Sequence, residues 1–126
     1  MKVNIFWFRR DLRINDNIGL NIALASKNPV IAIFIFDDKI TLKLPSNDAR
    51  ISFIYKHLNK TNNSLKKVYS SLLILKGTPI EVFLELVKNY EIEEVYSNID
   101  YEPYGIDRDA KITSLLESNQ IKHFQY

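Results

Sequence analysis

Cysteine is absent from this chain of 126 residues, and it holds only three glycines and two histidines. Without cysteine there are no disulfides and no thiolate metal sites, so the core is held by packing alone. Two isolated histidines, His57 and His123, argue against a zinc centre or a histidine-dependent triad, and Ser70, Ser71, Ser97 and Ser114 have no histidine at a recognisable sequence distance. The glycines, Gly19, Gly77 and Gly105, form neither a G-x-G-x-x-G turn after a first strand nor a P-loop. Nor does one charge sign dominate. Seventeen basic against fifteen acidic side chains leave +2, too little for a chain that coats DNA by counterion release. No apolar run approaches the length of a membrane span, and the apolar N-terminal stretch runs into arginines instead of a cleavage site. The expectation is a soluble cytoplasmic chain without a membrane partner.

What is present is alternation. At 46% hydrophobic, the composition fits one domain with a single core. VNIFWF and PVIAIFIFDD are short β-branched and aromatic runs bounded by charged turns, which read as buried strands; SSLLILKG, EEVYSN and QIKHFQY supply three more. Between the first two strands, Ile18, Ile22 and Ala25 are spaced for one helical face, with Asp16 as N-cap and Asn28-Pro29 as the stop. Further helices are expected over 48–70, 79–90 and 103–118, the last two with proline in the tolerant first turn. Strands alternating with helices predict an α/β fold: a doubly wound, Rossmann-like, five-stranded parallel sheet with order 3-2-1-4-5 and helices on both faces.

Ligands of such sheets bind beyond the carboxyl ends of the strands, where the strand order reverses. Three charged segments fall there: WFRRDLR after strand 1, Asp37 and Asp38 after strand 2, and residues 98–103 after strand 4. The bland readings have weight. Asp37 alone suits a strand-end turn; Glu93-Glu94 and Glu81/Glu85 suit solvated helix faces, and His57 a structural or surface position. Arg9, Asp11 and Arg13 suit a brace that ties the strand 1 loop to the first helix or to another domain, Trp7 suits the core, and Asp100, Arg108 and Asp109 suit a structural network at a helix start.

WFRRDLRINDN and NIDYEPYGIDRD, in this order, resemble the N-terminal α/β domain of the DNA photolyase and cryptochrome family. The family's opening W-F-R-x-D-L-R-x-x-D-N is matched by Trp7, Phe8, Arg9, Asp11, Leu12, Arg13, Asp16 and Asn17. Its N-x-D-Y-x-P-Y and following R-D are matched by Asn98, Asp100, Tyr101, Pro103, Tyr104, Arg108 and Asp109, and Arg50 stands where the family has an arginine opening a long helix. The resemblance covers residues 1–126 and implies a fragment, with the FAD-binding helical domain absent from this chain.

For the parent, the resemblance implies light-driven repair of pyrimidine dimers by FAD, with DNA met only through the parent. The fragment alone is then no enzyme. The domain's implied task is to hold an antenna chromophore. Tyr104-Gly105 stand where folate-type relatives carry Asn-Glu, so a deazaflavin or FMN is favoured over folate. By the same resemblance the antenna-binding residues are Arg10, Ile35, Phe36, Asp37, Arg50, Asp100, Glu102, Gly105 and Asp109, with no catalytic and no metal-binding residue. Two alternatives stand beside this: a cryptochrome-type photoreceptor without repair activity and, outside the family, a nucleotide-binding stress-type α/β domain.

Overall fold

The computed structural model describes residues 2–9, 17–36, 56, 59–60, 62–63 and 72–126. Five strands form one parallel sheet: β1 (Lys2–Phe8), β2 (Val30–Phe36), β3 (Leu72–Lys76), β4 (Glu91–Ser97) and β5 (Lys122–Gln125). Their order is β3-β2-β1-β4-β5, as the alternation predicts, so the chain reverses its direction of travel across the sheet between β1 and β4. The described helices are α1 (Ile18–Leu24), α2 (Pro79–Asn89) and α3 (Pro103–Ser118). Within the helix expected over 48–70, residues 56, 59–60 and 62–63 are helical and the rest lie outside the described residues.

Successive strand side chains point to opposite faces. Ile5, Trp7, Ile33, Ile35 and Val95 therefore meet Phe83 and Leu86 of α2 and Ile112 and Leu116 of α3, while Phe6, Phe8, Ala32, Phe34, Phe36 and Tyr96 meet Leu20 and Ala23 of α1. The helix ends follow local chemistry. Gly77, at φ 140°, makes the turn before α2; Thr78 then caps it, its Oγ1 accepting from Glu81 N at 3.3 Å, and Pro79 fills the first turn. At the far end of α3, Gln120 takes φ 59° while Ile121 N reaches Leu116 O at 2.9 Å and Gln120 N reaches Glu117 O at 3.1 Å. That is the Schellman arrangement, with glutamine where glycine is usual.

α1 departs from expectation. Ile18 and Ile22 are 64% and 38% exposed and Ala25 is also exposed, whereas Gly19, Leu20 and Ala23 are buried. The rotation is set by Gly19, where a Cβ would stand 2.6 Å from Asn98 Oδ1 and 3.0 Å from Phe6 Cε1. Only glycine lets the helix come that close, and it turns Leu20 and Ala23 inward. The cap is Asn17, whose Oδ1 accepts from Leu20 N at 3.0 Å; the expected cap, Asp16, lies outside the described residues. The helix also ends at Leu24, ahead of the expected Asn28-Pro29 stop.

Glu93 and Glu94 lie in β4, as the EEVYSN run predicts, and not on a solvated helix face. They join a polar cluster at the amino edge of the sheet, where a register shift falls between Val3 and Asn4. The buried Asn4 donates to Ser26 Oγ at 2.9 Å and Glu94 Oε1 at 3.2 Å, and accepts from Glu94 N at 3.1 Å and Asn28 Nδ2 at 3.2 Å. Asn28 also donates to Glu93, and Tyr96 donates to Glu94 Oε1 at 2.8 Å. Burial, with Glu94 beside it, pushes the Tyr96 phenol up to about 12.

Candidate functional site

At the opposite, carboxyl edge, β1 delivers Arg9 to the point where the strand order reverses. Its Nη1 donates to Asn98 O at 2.5 Å, and its Nη2 donates to Ser97 Oγ at 3.1 Å and to Asp109 Oδ1 at 2.7 Å. One guanidinium thus joins the end of β1, the end of β4 and the first turns of α3. Asn98 extends the tie to α1, accepting from Gly19 N at 3.0 Å and donating to Asn17 Oδ1 at 2.8 Å.

Asp109 Oδ1 also meets Arg108 Nε at 3.1 Å, and Arg108 Nη2 reaches Asp100 Oδ2 at 3.0 Å. The two carboxylates differ in surroundings. Asp109 is buried, and burial raises its pKa despite the lowering influence of Arg9 and Arg108. The Asp100 side chain is 24% exposed; burial works to raise its pKa, but the Glu102 N–H and the Arg108 guanidinium outweigh it and hold the carboxyl below its ordinary value. Gly105 makes room for this carboxylate, since a Cβ there would lie 2.2 Å from Asp100 Oδ2. Beneath the arginines lies Trp7, in the core as expected, with Arg9 Cζ 4.2 Å and Arg108 Cζ 5.1 Å from the indole centroid.

Of the residues expected at the site, Asp100, Glu102, Gly105 and Asp109 come together at the start of α3. Glu102 is exposed, and Gly105 and Asp109 are buried. Ile35 and Phe36 are both buried near the end of β2, but they face opposite layers, so a ligand over one face meets only one of them. Arg10, Asp37 and Arg50, with Asp11, Arg13, Asp38 and His57, lie outside the described residues.

Sequence distance hid one polar chain. Ser97 Oγ lies 2.9 Å from His123 Nε2, and His123 Nδ1 lies 2.8 Å from Thr113 Oγ1. Ser97 does have a histidine beside it, brought there by the pairing of β4 with β5. Burial, helped by Arg9, pushes His123 down to about 4, so the ring is neutral at ordinary pH. Among the described residues no cluster of histidine and carboxylate groups could hold a metal ion, and no helix is long and apolar enough to cross a membrane.

Fold and edge together define a class: a doubly wound, Rossmann-like α/β domain whose charged side chains gather at the topological switch point. The chain belongs to the DNA photolyase and cryptochrome family, since the family model for DNA photolyase matches residues 4–126. It is 36% identical over 121 residues to a deoxyribodipyrimidine photo-lyase of Synechococcus sp., covering 96% of this chain and 25% of that protein. Its identity to cryptochrome-2 of Gallus gallus is 34% over 114 residues, 90% of this chain and 20% of that one. Among solved structures, an archaeal photolyase from Sulfolobus tokodaii, described with two FAD molecules as implying a novel light-harvesting cofactor, superposes with TM-score 0.87 at 35% identity. That match covers 98% of this chain and 29% of the other. The chain thus spans about a quarter of the length of these relatives.

Proposed function

We propose that this chain is the N-terminal antenna-binding domain of a deoxyribodipyrimidine photolyase and that it takes a flavin-type chromophore, FMN or a deazaflavin in preference to folate, at its carboxyl edge. The observation that carries the reading is Asp100: a carboxylate held ionised by Arg108 and the Glu102 N–H, partly exposed and seated over Gly105. The donor chemistry fits, because a flavin offers ring N–H and ribityl hydroxyl donors to such an acceptor. The Sulfolobus tokodaii photolyase, with its two FAD molecules, supports a flavin as the class of antenna.

When bound, the chromophore absorbs light and passes excitation energy onward. The chain's own residues bind and orient it. Asp100 and Glu102 accept hydrogen bonds; Gly105 keeps Asp100 in place; Asp109 anchors both arginines from below and acts through them. The reading also takes in Arg10, Asp37 and Arg50, which lie outside the described residues, with Ile35 or Phe36 supplying an apolar wall. In the parent, a helical FAD domain carries out light-dependent dimer repair in the cytoplasm and meets the DNA, and Tyr101, 82% exposed, belongs to the surface that meets that domain.

Reconstitution with FMN, a deazaflavin and methenyltetrahydrofolate tests the reading. A saturable, shifted absorption band is expected for a flavin-type ligand, and Asp100→Ala should weaken its binding at least tenfold, as loss of a charge-assisted bond of about 1.5–3 kcal/mol requires. Binding of folate alone, or unchanged flavin affinity in a folded Asp100→Ala protein, would overturn it. The near-equal identity to a cryptochrome favours a second reading, a blue-light receptor without repair. Failure of the full-length parent to split pyrimidine dimers under light would select it.

A further inference from the structure

Trp7 is the only tryptophan in the chain. It is buried at the end of β1, edge-on to Phe83 with centroids 5.0 Å apart, and two guanidiniums stack on it. Neither arginine is free to leave. Arg9 is held by Asn98, Ser97 and Asp109, and Arg108 by Asp100 and Asp109. A cation against a π face attracts the neutral ring. The same charge repels a ring that has lost an electron, and in a water-poor setting that repulsion is weakly screened. Asp100 and Asp109 balance the cluster's charge, but they bond to guanidinium nitrogens, while the groups stacked on the indole are the guanidiniums themselves.

We infer that Arg9 and Arg108 make Trp7 a poor electron donor, and thereby keep the excitation of a flavin-type chromophore from being lost to the indole beside its site. The inference rests on the flavin reading above. The step held back is a one-electron transfer: an electron leaves the indole for the photoexcited oxidised flavin, and on its return both partners regain their starting states with the excitation released as heat. Arg108 touches Asp100 on one side and Trp7 on the other, so a ligand on Asp100 lies one side chain from the indole. The arrangement favours onward energy transfer over local quenching.

Two measurements on the whole chain test this, one without any chromophore. In the ligand-free protein, azide radicals generated by pulse radiolysis oxidise tryptophan and tyrosine, whose radicals absorb differently. Arg108→Met should raise the tryptophan radical yield at least twofold, while Arg108→Lys, which keeps the charge but not the bonding pattern, should stay near the parent value. With FMN bound, Arg108→Met should shorten the flavin fluorescence lifetime at least twofold, and adding Trp7→Phe should restore it. Equal radical yields in the parent and Arg108→Met, or a longer lifetime on Trp7→Phe alone, would overturn the inference. If Arg108→Met does not melt cooperatively, Arg108→Gln takes its place. If neither FMN nor a deazaflavin binds, the flavin reading fails, while the radical yields still decide whether the arginines control Trp7.

Discussion

The two edges of one sheet bury polar side chains in opposite ways. At the amino edge, Asn4 fits among Ser26, Asn28 and Glu94, with each amide group meeting partners on adjoining segments. Its bonds close the starts of β1 and β4 upon each other, and the cluster is complete in itself. At the carboxyl edge, two arginines and two carboxylates share partners: Asp109 Oδ1 serves both guanidiniums, and Arg108 and Asp100 keep 14% and 24% of their side chains exposed. Amides whose donors and acceptors are matched, two of them by the carboxylates of Glu93 and Glu94, make a seal. Linked charges that remain partly open make a place where a ligand can add bonds, and the family's motif residues Trp7, Arg9, Asp100, Arg108 and Asp109 all stand on that side.

The sharpest way to break the contrast is Arg9→Met. It leaves Asp109 buried with, among the described residues, the neighbouring Arg108 alone for charge, and removes the donor to Asn98 O and Ser97 Oγ. Loss of one partner from a buried pair costs about 3–5 kcal/mol. Urea unfolding should show that loss, a large part of the stability of a domain this size. A loss below about 1 kcal/mol would mean that the carboxyl edge holds the fold no more than an exposed ion pair does.

Acidification sharpens the contrast at the seam between the two layers, where His123 links Ser97 to Thr113. Burial and Arg9 lower its pKa from 6.5 to about 4, so below 6.5 the unfolded chain binds a proton that the folded chain refuses. The stability from His123 is therefore fully present above 6.5 and is lost as pH falls through about 4, a change of about 3 kcal/mol. Asp100 acts in the same direction at lower pH, below its ordinary 3.8. Asp109, whose pKa is raised, acts in the opposite direction: its contribution is present below 3.8 and fades as pH rises through its folded value. Comparing unfolding of the parent and His123→Gln across this range isolates the histidine. Their stability difference should shrink by about 3 kcal/mol toward pH 4, and a pH-independent difference would refute a neutral buried ring.

Local chemistry explains what was legible beforehand. Short apolar runs marked all five strands, and Pro79 and Pro103 marked the starts of α2 and α3, because those signals lie within the segments they govern. The strand order followed from the alternation of elements. The rotation of α1 did not, since it depends on Gly19 meeting Asn98, 79 positions away. The Ser97–His123 pair likewise depends on how β4 and β5 are registered, which no spacing reveals. At the site, the motif residues drew attention to Asp100 and Asp109, but only their burial separates a carboxylate that can meet a ligand from one sealed under two arginines. Glu93 and Glu94 were misleading for a related reason: a pair of acids reads as solvated until Asn4 and Asn28 are seen across the strand.

The amino edge should yield a smaller effect with a different dependence. Asn4→Ala removes an acceptor from Glu94 N and Asn28 Nδ2 and a donor to Ser26 and Glu94, beside a shift in the β1–β4 register. Unsatisfied buried polar groups cost about 1–3 kcal/mol, less than the charge stranded at Asp109 by Arg9→Met, because Asn4 is itself uncharged and its loss removes hydrogen bonds alone. Asn4 and Arg9 stand five residues apart on an extended strand, roughly 16 Å, beyond the range at which sites sharing no partner couple. The double variant Asn4→Ala, Arg9→Met should therefore lose the sum of the two single losses to within about 0.5 kcal/mol in urea unfolding. A larger departure would show that the seal and the charged edge form one cooperative unit through β1 and β4. Additivity would mean that the carboxyl edge can be retuned for a ligand while the amino edge keeps the sheet closed.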